Sequence, residues 1–310
     1  MSGGPLVSIV LPTLNGSRYI QQSIESCLGQ SYANLEVIVV DGGSTDGTLD
    51  LVAGLGGARI RVVHQPANSG RLPGALNLGF AQAQGEFFTW TQDDDWYEPT
   101  AIEYLARYLM DNPKVGLAYA SFAFVDEAGQ FVRDSTLGPP EALYWTNCVG
   151  HCFLYRRTVA AQVGEYALNY VMAEDAQYWM RVFKVAPMAF LPGRYFNHRL
   201  HAGNLTGHSY GAYESLRVAA RARREVLGIG AREYRRQVAA ADIEEAFATH
   251  ADGAWDRSRR CLARGLARDP RWLRNRGVLS LAAEALVGRR LMNRWRGRRG
   301  AVETQRAVSK

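Results

Sequence analysis

Cysteine is scarce in this chain of 310 residues: only Cys27, Cys148, Cys152 and Cys261 occur. Four scattered thiols make no disulfide framework, so reduced cysteines and a cytoplasmic setting are expected. Cys148 and Cys152 flank His151, but no second Cys or His pair completes a zinc ligand set. No apolar run approaches the roughly 20 residues that a membrane-spanning helix requires. The opening Met1-Ser-Gly-Gly-Pro5 has no charged segment followed by an apolar stretch, so no secretory signal is expected. Nor does an internal repeat point to a solenoid.

What is present is a large apolar fraction, 47%, enough for a substantial core and one or two domains. The net charge of +6 hides a split. Residues 1–210 hold 13 Lys and Arg against 19 Asp and Glu, a net of −6. Residues 211–310 hold 23 against 11, a net of +12, nearly all of it arginine. Two regions with different tasks are expected, divided near residue 210.

Strand and helix patterns alternate along the first 120 residues. Val7–Leu11, Leu35–Val40, Ile60–His64 and Glu86–Trp90 read as strands. Tyr19–Leu28, the stretch after the turn Gly42–Gly47, Leu72–Gln84 and Thr100–Met110 read as helices. Such alternation predicts a mostly parallel, doubly wound α/β sheet. Beyond it, Leu117–Val125 and Gln130–Arg133 read as a hairpin. Gly150–Tyr155 and Met188–Phe196 read as strands, Thr158–Val163 and Ala173–Val185 as helices, a mixed α+β second half. From about residue 211 the pattern is helical and rich in arginine.

Ligands of open α/β sheets sit outside the carboxyl ends of the strands. The polar clusters of this chain fall at those ends: Thr13-Leu14-Asn15, Asp41, His64-Gln65 and Asp93-Asp94-Asp95. Adjacent carboxylates repel and are costly to desolvate. The acidic triplet is either neutralised by a hard divalent cation such as Mg²⁺ or Mn²⁺, which would also hold a substrate phosphate, or is a solvated turn before the next helix.

Five motifs then follow in order: Val7–Asn15, Glu36–Thr48, Asn68–Gly79, Asp93–Trp96 and Ala173–Arg181. Together they resemble the inverting GT-A glycosyltransferases of glycosyltransferase family 2 over about residues 6–205. The resemblance implies a GT-A catalytic domain over 1–210 and a nucleotide-sugar donor, most simply UDP-linked. It implies that Asp41 accepts the imino N–H of the base, with Pro12, Thr13, Asn15 and Ser44 around the nucleoside. Each of these polar side chains has a plainer use in capping a strand end or turn. Arg71, in a glycine-rich bend, would reach nucleoside or phosphate, or stand in solvent. Asp93 would lie near the ribose and Asp94 would ligate Mn²⁺ or Mg²⁺. Many members carry Asp-x-Asp-Asp here, and Gln92 replaces the first acid, which lowers the charge available to a metal. His201, in the segment His198–Asn204 that the resemblance sets over the diphosphate, would complete the metal shell. Asp175, with Glu174 as its acidic neighbour, would be the base that takes the acceptor hydroxyl's proton. A helix N-terminus also favours such a pair for its own sake. Tyr178 and Trp179 read as core.

The basic region 211–310 carries no catalytic motif. Val278–Val287 is an apolar helix too short to span a bilayer, and Arg289–Arg299 sets Leu291, Met292 and Trp295 among arginines. That composition suits an anionic membrane surface, or a solvated helical face. Nucleic acid is not expected as the partner, because the acidic half would repel it. The combined expectation is a metal-dependent inverting transferase with a saccharide or lipid-linked acceptor, on the inner face of the cytoplasmic membrane. The rivals are a nucleotide-sugar-binding assembly partner without turnover and a nucleotidyltransferase. The last lacks a basic glycine-rich loop, since Pro12–Ser17 is followed only by Arg18.

Overall fold

The computed structural model describes residues 4–66, 71–204 and 211–287. It divides into two compact units, residues 1–208 with 221–229 and residues 209–220 with 230–310.

The first unit opens with β1 (Val7–Thr13), α1 (Ile20–Leu28), β2 (Leu35–Asp41), α2 (Thr48–Leu55), β3 (Ile60–His64), α3 (Arg71–Gln82) and β4 (Phe87–Trp90). After it come β5 (Trp96–Tyr97), α4 (Ala101–Asp111), β6 (Leu117–Val125), β7 (Phe131–Asp134), β8 (Cys152–Arg156), α5 (Arg157–Val163), α6 (Glu174–Val185) and β9 (Met188–Arg199). All nine strands form one sheet, in the order β3-β2-β1-β4-β8-β6-β9-β5, with β7 paired to β6. The first four are mutually parallel, and β8 runs against both β4 and β6. Strands β6 and β9 are parallel again. The strands of the mixed α+β second half therefore extend the same sheet.

Every residue of β1 and β4 is buried, which is why they read as unbroken apolar runs. Helix α1 buries Ile20, Ile24 and Cys27, and α4 buries Ile102, Leu105 and Leu109, in one core with Val7, Ile9, Val37 and Val39. On α3, a Cβ on Gly79 would come within 2.4 Å of Val10 Cγ1, so only glycine lets that helix lie so close to β1. Register then aligns the strand ends: Thr13 lies opposite Asp41, and Asp41 opposite His64. Strand β4 stops at Trp90, opposite Val10, so Thr91-Gln92-Asp93 continues alongside the last residues of β1.

Helix α7 (Gly211–Ala222) crosses the division and runs into a π-helical turn, Arg223–Leu227, which belongs to the first unit. The second unit contains α8 (Ala231–Ala251), α9 (Trp255–Arg268) and α10 (Arg276–Val287). Ile243, Ala246, Cys261, Leu262, Val278 and Leu281 form its core. Asp242 and Glu245 of α8 are 1% exposed and bind arginines of α7 and α9. No helix among the described residues is long and apolar enough to cross a membrane. The arginine-rich segment Arg289–Arg299 lies outside the described residues.

Candidate active site

The ends of β1 and β2 and the loops after them make one polar cluster. Asn15 has φ +55°, a left-handed conformation that asparagine tolerates better than most residues. Its N–H donates to Ser44 Oγ at 2.9 Å, and its Oδ1 accepts from the Thr45 N–H at 2.9 Å. Asp41 is buried and accepts from the N–H groups of Gly43 (3.2 Å) and Ser44 (3.0 Å). Burial pushes its carboxyl up, but the Ser44 hydroxyl and these N–H groups outweigh that and hold it below the usual carboxylate range. The expected base-binding aspartate thus also ties its own turn. Pro12, Thr13, Asn15, Asp41 and Ser44 stand together, whereas Arg71 is exposed at the start of α3. Arg71 takes φ +56°, and its carbonyl accepts from the Gln65 side chain.

The three adjacent carboxylates have three different surroundings. Asp93 Oδ2 accepts from Thr13 Oγ1 at 2.6 Å. A Cβ on Gly16 would lie 2.2 Å from the same oxygen, so the loop after β1 approaches Asp93 as only glycine can. Burial raises the Asp93 carboxyl to about 6; the Thr13 hydrogen bond opposes this and the Asp94 charge adds to it. Asp94 Oδ2 meets His201 Nε2 at 2.8 Å and accepts from Asn204 Nδ2 at 3.1 Å. Its other oxygen, Oδ1, is buried with no hydrogen-bond partner among the described residues. Burial, then the Asp95 charge, push the Asp94 carboxyl upward. Asp95 turns inward, 1% exposed, where it meets His198 Nδ1 at 3.0 Å and accepts the Arg199 N–H at 2.9 Å.

The segment after β9 does not reach over a diphosphate as a whole, as the sequence suggested. His198 and Arg199 still belong to β9 and are buried, 7% and 3% exposed. Arg199 donates to the carbonyls of Asp94 and Glu127 and to Gln22 Oε1, and lies over the rings of Tyr19 and Trp96. It buttresses the acidic loop from behind. Only His201 and Asn204, past the strand end, face Asp94.

Glu174 and Asp175 occupy the first turn of α6. Asp175 Oδ2 accepts from Asn147 Nδ2 at 2.7 Å, and its Oδ1 from the Ala176 N–H. Burial pushes the Asp175 carboxyl up against these hydrogen bonds. Burial, then the Asp175 charge, raise Glu174 to about 7. Glu174 Oε2 is buried without a partner among the described residues. Tyr178 and Trp179 are buried in the core of the same helix. Nothing in the sequence singled out Asn147, a lone amide in an irregular stretch. Asn77, inside the motif Asn68–Gly79, holds the Tyr166 backbone with both ends of its amide, at 2.9 and 2.7 Å.

A divalent cation fits the Asp94 site. A buried carboxylate oxygen with no donor, beside an imidazole nitrogen, is a donor set that a hard or borderline cation would satisfy. Asp95, His151 and His198 also bring ligand atoms within 4.8 Å of one another. There the two imidazoles are stacked, 4.2 Å between centroids and 9° between planes. In-plane lone pairs of parallel rings do not converge, so this trio suits an Asp–His hydrogen bond better than a metal.

The model of glycosyl transferase family 2 matches residues 8–164 of this chain, half its length. An uncharacterized glycosyltransferase of Rickettsia felis is 30% identical over 211 residues, 64% of this chain and 35% of that protein. The chondroitin synthase of Pasteurella multocida is 32% identical over 132 residues, 42% of this chain and 14% of that one. The chain spans about a third or less of the length of three Rickettsia relatives that it matches. Among solved structures, S. aureus TarS 1–349 in complex with UDP-GlcNAc is similar with a TM-score of 0.60 at 18% identity, over 85% of this chain and 89% of that one. The mannosyltransferase PcManGT of Pyrobaculum calidifontis, in complex with GDP-Man and Mn²⁺, is similar with a TM-score of 0.59 at 18% identity, over 92% and 81%. At these identities the likeness speaks for the fold, an α/β sheet of the GT-A kind.

Proposed function

Because this chain belongs to glycosyl transferase family 2, we propose that it is an inverting, metal-dependent glycosyltransferase. Its donor is a nucleotide-sugar, most simply UDP-linked, and its acceptor a saccharide or a lipid-linked saccharide of a surface polysaccharide or glycoconjugate. The observation that carries the reading is Asp94: one oxygen is held by His201 and Asn204, and the other is buried with no donor. A buried carboxylate oxygen without a donor among the described residues, beside an imidazole nitrogen, is a pair of ligands that a bound cation would satisfy.

In this reading the cluster of Pro12, Thr13, Asn15, Asp41 and Ser44 receives the nucleoside, and Asp93, held by Thr13, faces the ribose. Arg71, exposed at the start of α3, reaches toward the same nucleotide. Asp94 and His201 would hold Mn²⁺ or Mg²⁺, which offsets the charge of the diphosphate. Asp175 accepts the acceptor hydroxyl's proton as that oxygen bonds to the anomeric carbon. The bond from that carbon to the diphosphate oxygen breaks, and its electron pair leaves with the nucleoside diphosphate. Glu174 keeps a proton near neutrality, so Asp175 need not share the turn with a second full charge. One displacement inverts the anomeric centre and needs no covalent intermediate.

The basic region 211–310, net +12, is read as the contact to an anionic membrane on its cytoplasmic face. Calorimetric titration of UDP, GDP and dTDP, with and without Mn²⁺, tests the donor site. Mn²⁺-dependent binding of one nucleotide is expected, and a folded protein that binds none would sink the reading. Binding without transfer to any acceptor would leave the non-catalytic assembly partner. Sedimentation with phosphatidylglycerol vesicles, against phosphatidylcholine vesicles, tests the membrane contact, and equal recovery in both would remove it.

A further inference from the structure

The stretch that holds Asp175 in place also carries the most exposed large hydrophobic side chain among the described residues. Trp145 is 65% exposed, whereas Trp90 and Trp179 are 5% and 0%. Leaving most of an indole in water forgoes burial that would otherwise stabilise the fold. The chain does not leave it there through looseness. The N–H groups of Trp145 and Thr146 both donate to the Ala142 carbonyl at 2.8 Å. Leu143 on one side and Cys148 and Val149 on the other are fully buried. The backbone thus emerges for a few residues between two anchors, and in those residues it presents Trp145 and Asn147. Asn147, two positions on, donates to Asp175 at 2.7 Å. Among the described residues the indole's one ring neighbour is Tyr144, 6.0 Å between centroids, so an exposed aromatic side chain stands on an anchored backbone two residues from the amide that holds Asp175.

The charge on the stretch itself favours an uncharged ligand. Ser135 to His151 contains no Lys or Arg and one acid, Glu141. Arg223, which donates to the Leu143 carbonyl, is itself buried. A phosphate would find no exposed cation on this stretch. A pyranose offers an apolar face of C–H groups to the indole and keeps its hydroxyls for amides and carboxylates.

We propose that Trp145 is the platform on which the acceptor's terminal sugar stacks, so that the acceptor presents a saccharide, and not a bare lipid phosphate, to Asp175. This rests on the reading of Asp175 as the base. The test compares the parent with Trp145→Ala and Trp145→Phe. Donors are UDP-glucose, UDP-galactose, UDP-N-acetylglucosamine and GDP-mannose. Acceptors are p-nitrophenyl glycosides of the same sugars and, separately, polyprenyl phosphate in detergent. The parent is expected to use a glycoside. Trp145→Ala should raise the KM for it about tenfold, with kcat changed less than about threefold and partial recovery in Trp145→Phe. Mn²⁺-dependent UDP binding should be equal in all three, which also shows that the variants fold. Trp145→Gln replaces the alanine variant should that one not fold. An unchanged glycoside KM in the alanine variant, or parental transfer to polyprenyl phosphate alone, would overturn the proposal while leaving the transferase standing. A parent that binds no nucleotide would overturn both.

Discussion

Three adjacent aspartates, identical in the sequence, are given three fates by their neighbours. Asp93 is tied to Thr13, Asp94 faces His201, and Asp95 is turned into the core against His198. Asp94→Ala is therefore expected to abolish Mn²⁺-dependent nucleotide binding, read by calorimetry. Asp175→Asn keeps the shape and the Asn147 neighbour but removes the base. It should preserve nucleotide binding and lower transfer by about 10²–10⁴-fold; transfer at the parental rate would remove Asp175 from that role. The carboxyl pair sets the pH dependence. Because Asp175 must give up its proton to act, and burial raises its carboxyl, kcat/KM should fall on the acid side at a pH above the usual carboxylate range. Glu174→Gln mimics the protonated neighbour and should leave that limb in place, whereas Glu174→Ala, which opens the site to water, should move it downward. The sign for stability is opposite to that of an ion-paired acid. A raised carboxyl contributes stability that is present below its unfolded value and is lost as pH rises through about 7. Glu174→Gln should thus gain stability over the parent at about pH 8 and not at about pH 4, by urea unfolding.

At the scale of elements, the site depends on how closely α3 lies on β1 and how β9 pairs with β6. Gly79→Ala would put a methyl carbon 2.4 Å from Val10 Cγ1. A loss of about 1–3 kcal/mol is expected in denaturant unfolding, and an unchanged midpoint would mean that the helix can shift outward. Asn77→Ala removes both hydrogen bonds to the backbone of Tyr166, whose hydroxyl accepts from Trp90 Nε1 and whose ring stacks on Tyr178. A cost of about 1–3 kcal/mol is expected from the buried polar groups left unpaired. The strands β1 to β4 were legible because a fully buried strand writes itself as an apolar run between turn residues. The joining of β8, β6 and β9 to the same sheet was not, since pairing between distant segments leaves no period in the sequence. For the same reason the burial of His198 and Arg199 within the segment His198–Asn204 was not legible. Their direction is fixed by the register of β9 on β6, where His198 lies opposite Phe124 and Arg199 opposite Val125.

Across the whole molecule the charge changes sign near the division between the two units, although Arg221, Arg223 and Arg224 belong to the first. In the second unit the arginines are not all free to meet a partner. Arg217, Arg257, Arg264 and Arg268 surround Asp242 and Glu245. Asp242→Ala would leave Arg217 and Arg268 without that carboxylate. A destabilisation of about 2–3 kcal/mol is expected, below the full cost of breaking a buried pair because three of these arginines are partly exposed. Unfolding followed at low and high salt checks it, and a loss of less than about 0.5 kcal/mol would show the cluster to be surface decoration.

The sequence by itself determined the strand–helix alternation, the clustering of polar residues at strand ends and the order of the five motifs. All three are local, set by period and by neighbours along the chain. It also named Asp94, His201, Glu174 and Asp175 as the residues to examine. Only the tertiary structure decided that His201 and Asn204 meet Asp94 while His198 and Arg199 support the loop from inside. It also decided that Asn147 orients Asp175 and that Trp145, two residues before it, stands exposed. Those facts depend on which side chains converge across 28 to 110 positions of chain. Such contacts come from packing and register, and no single sequence carries a local signature of them.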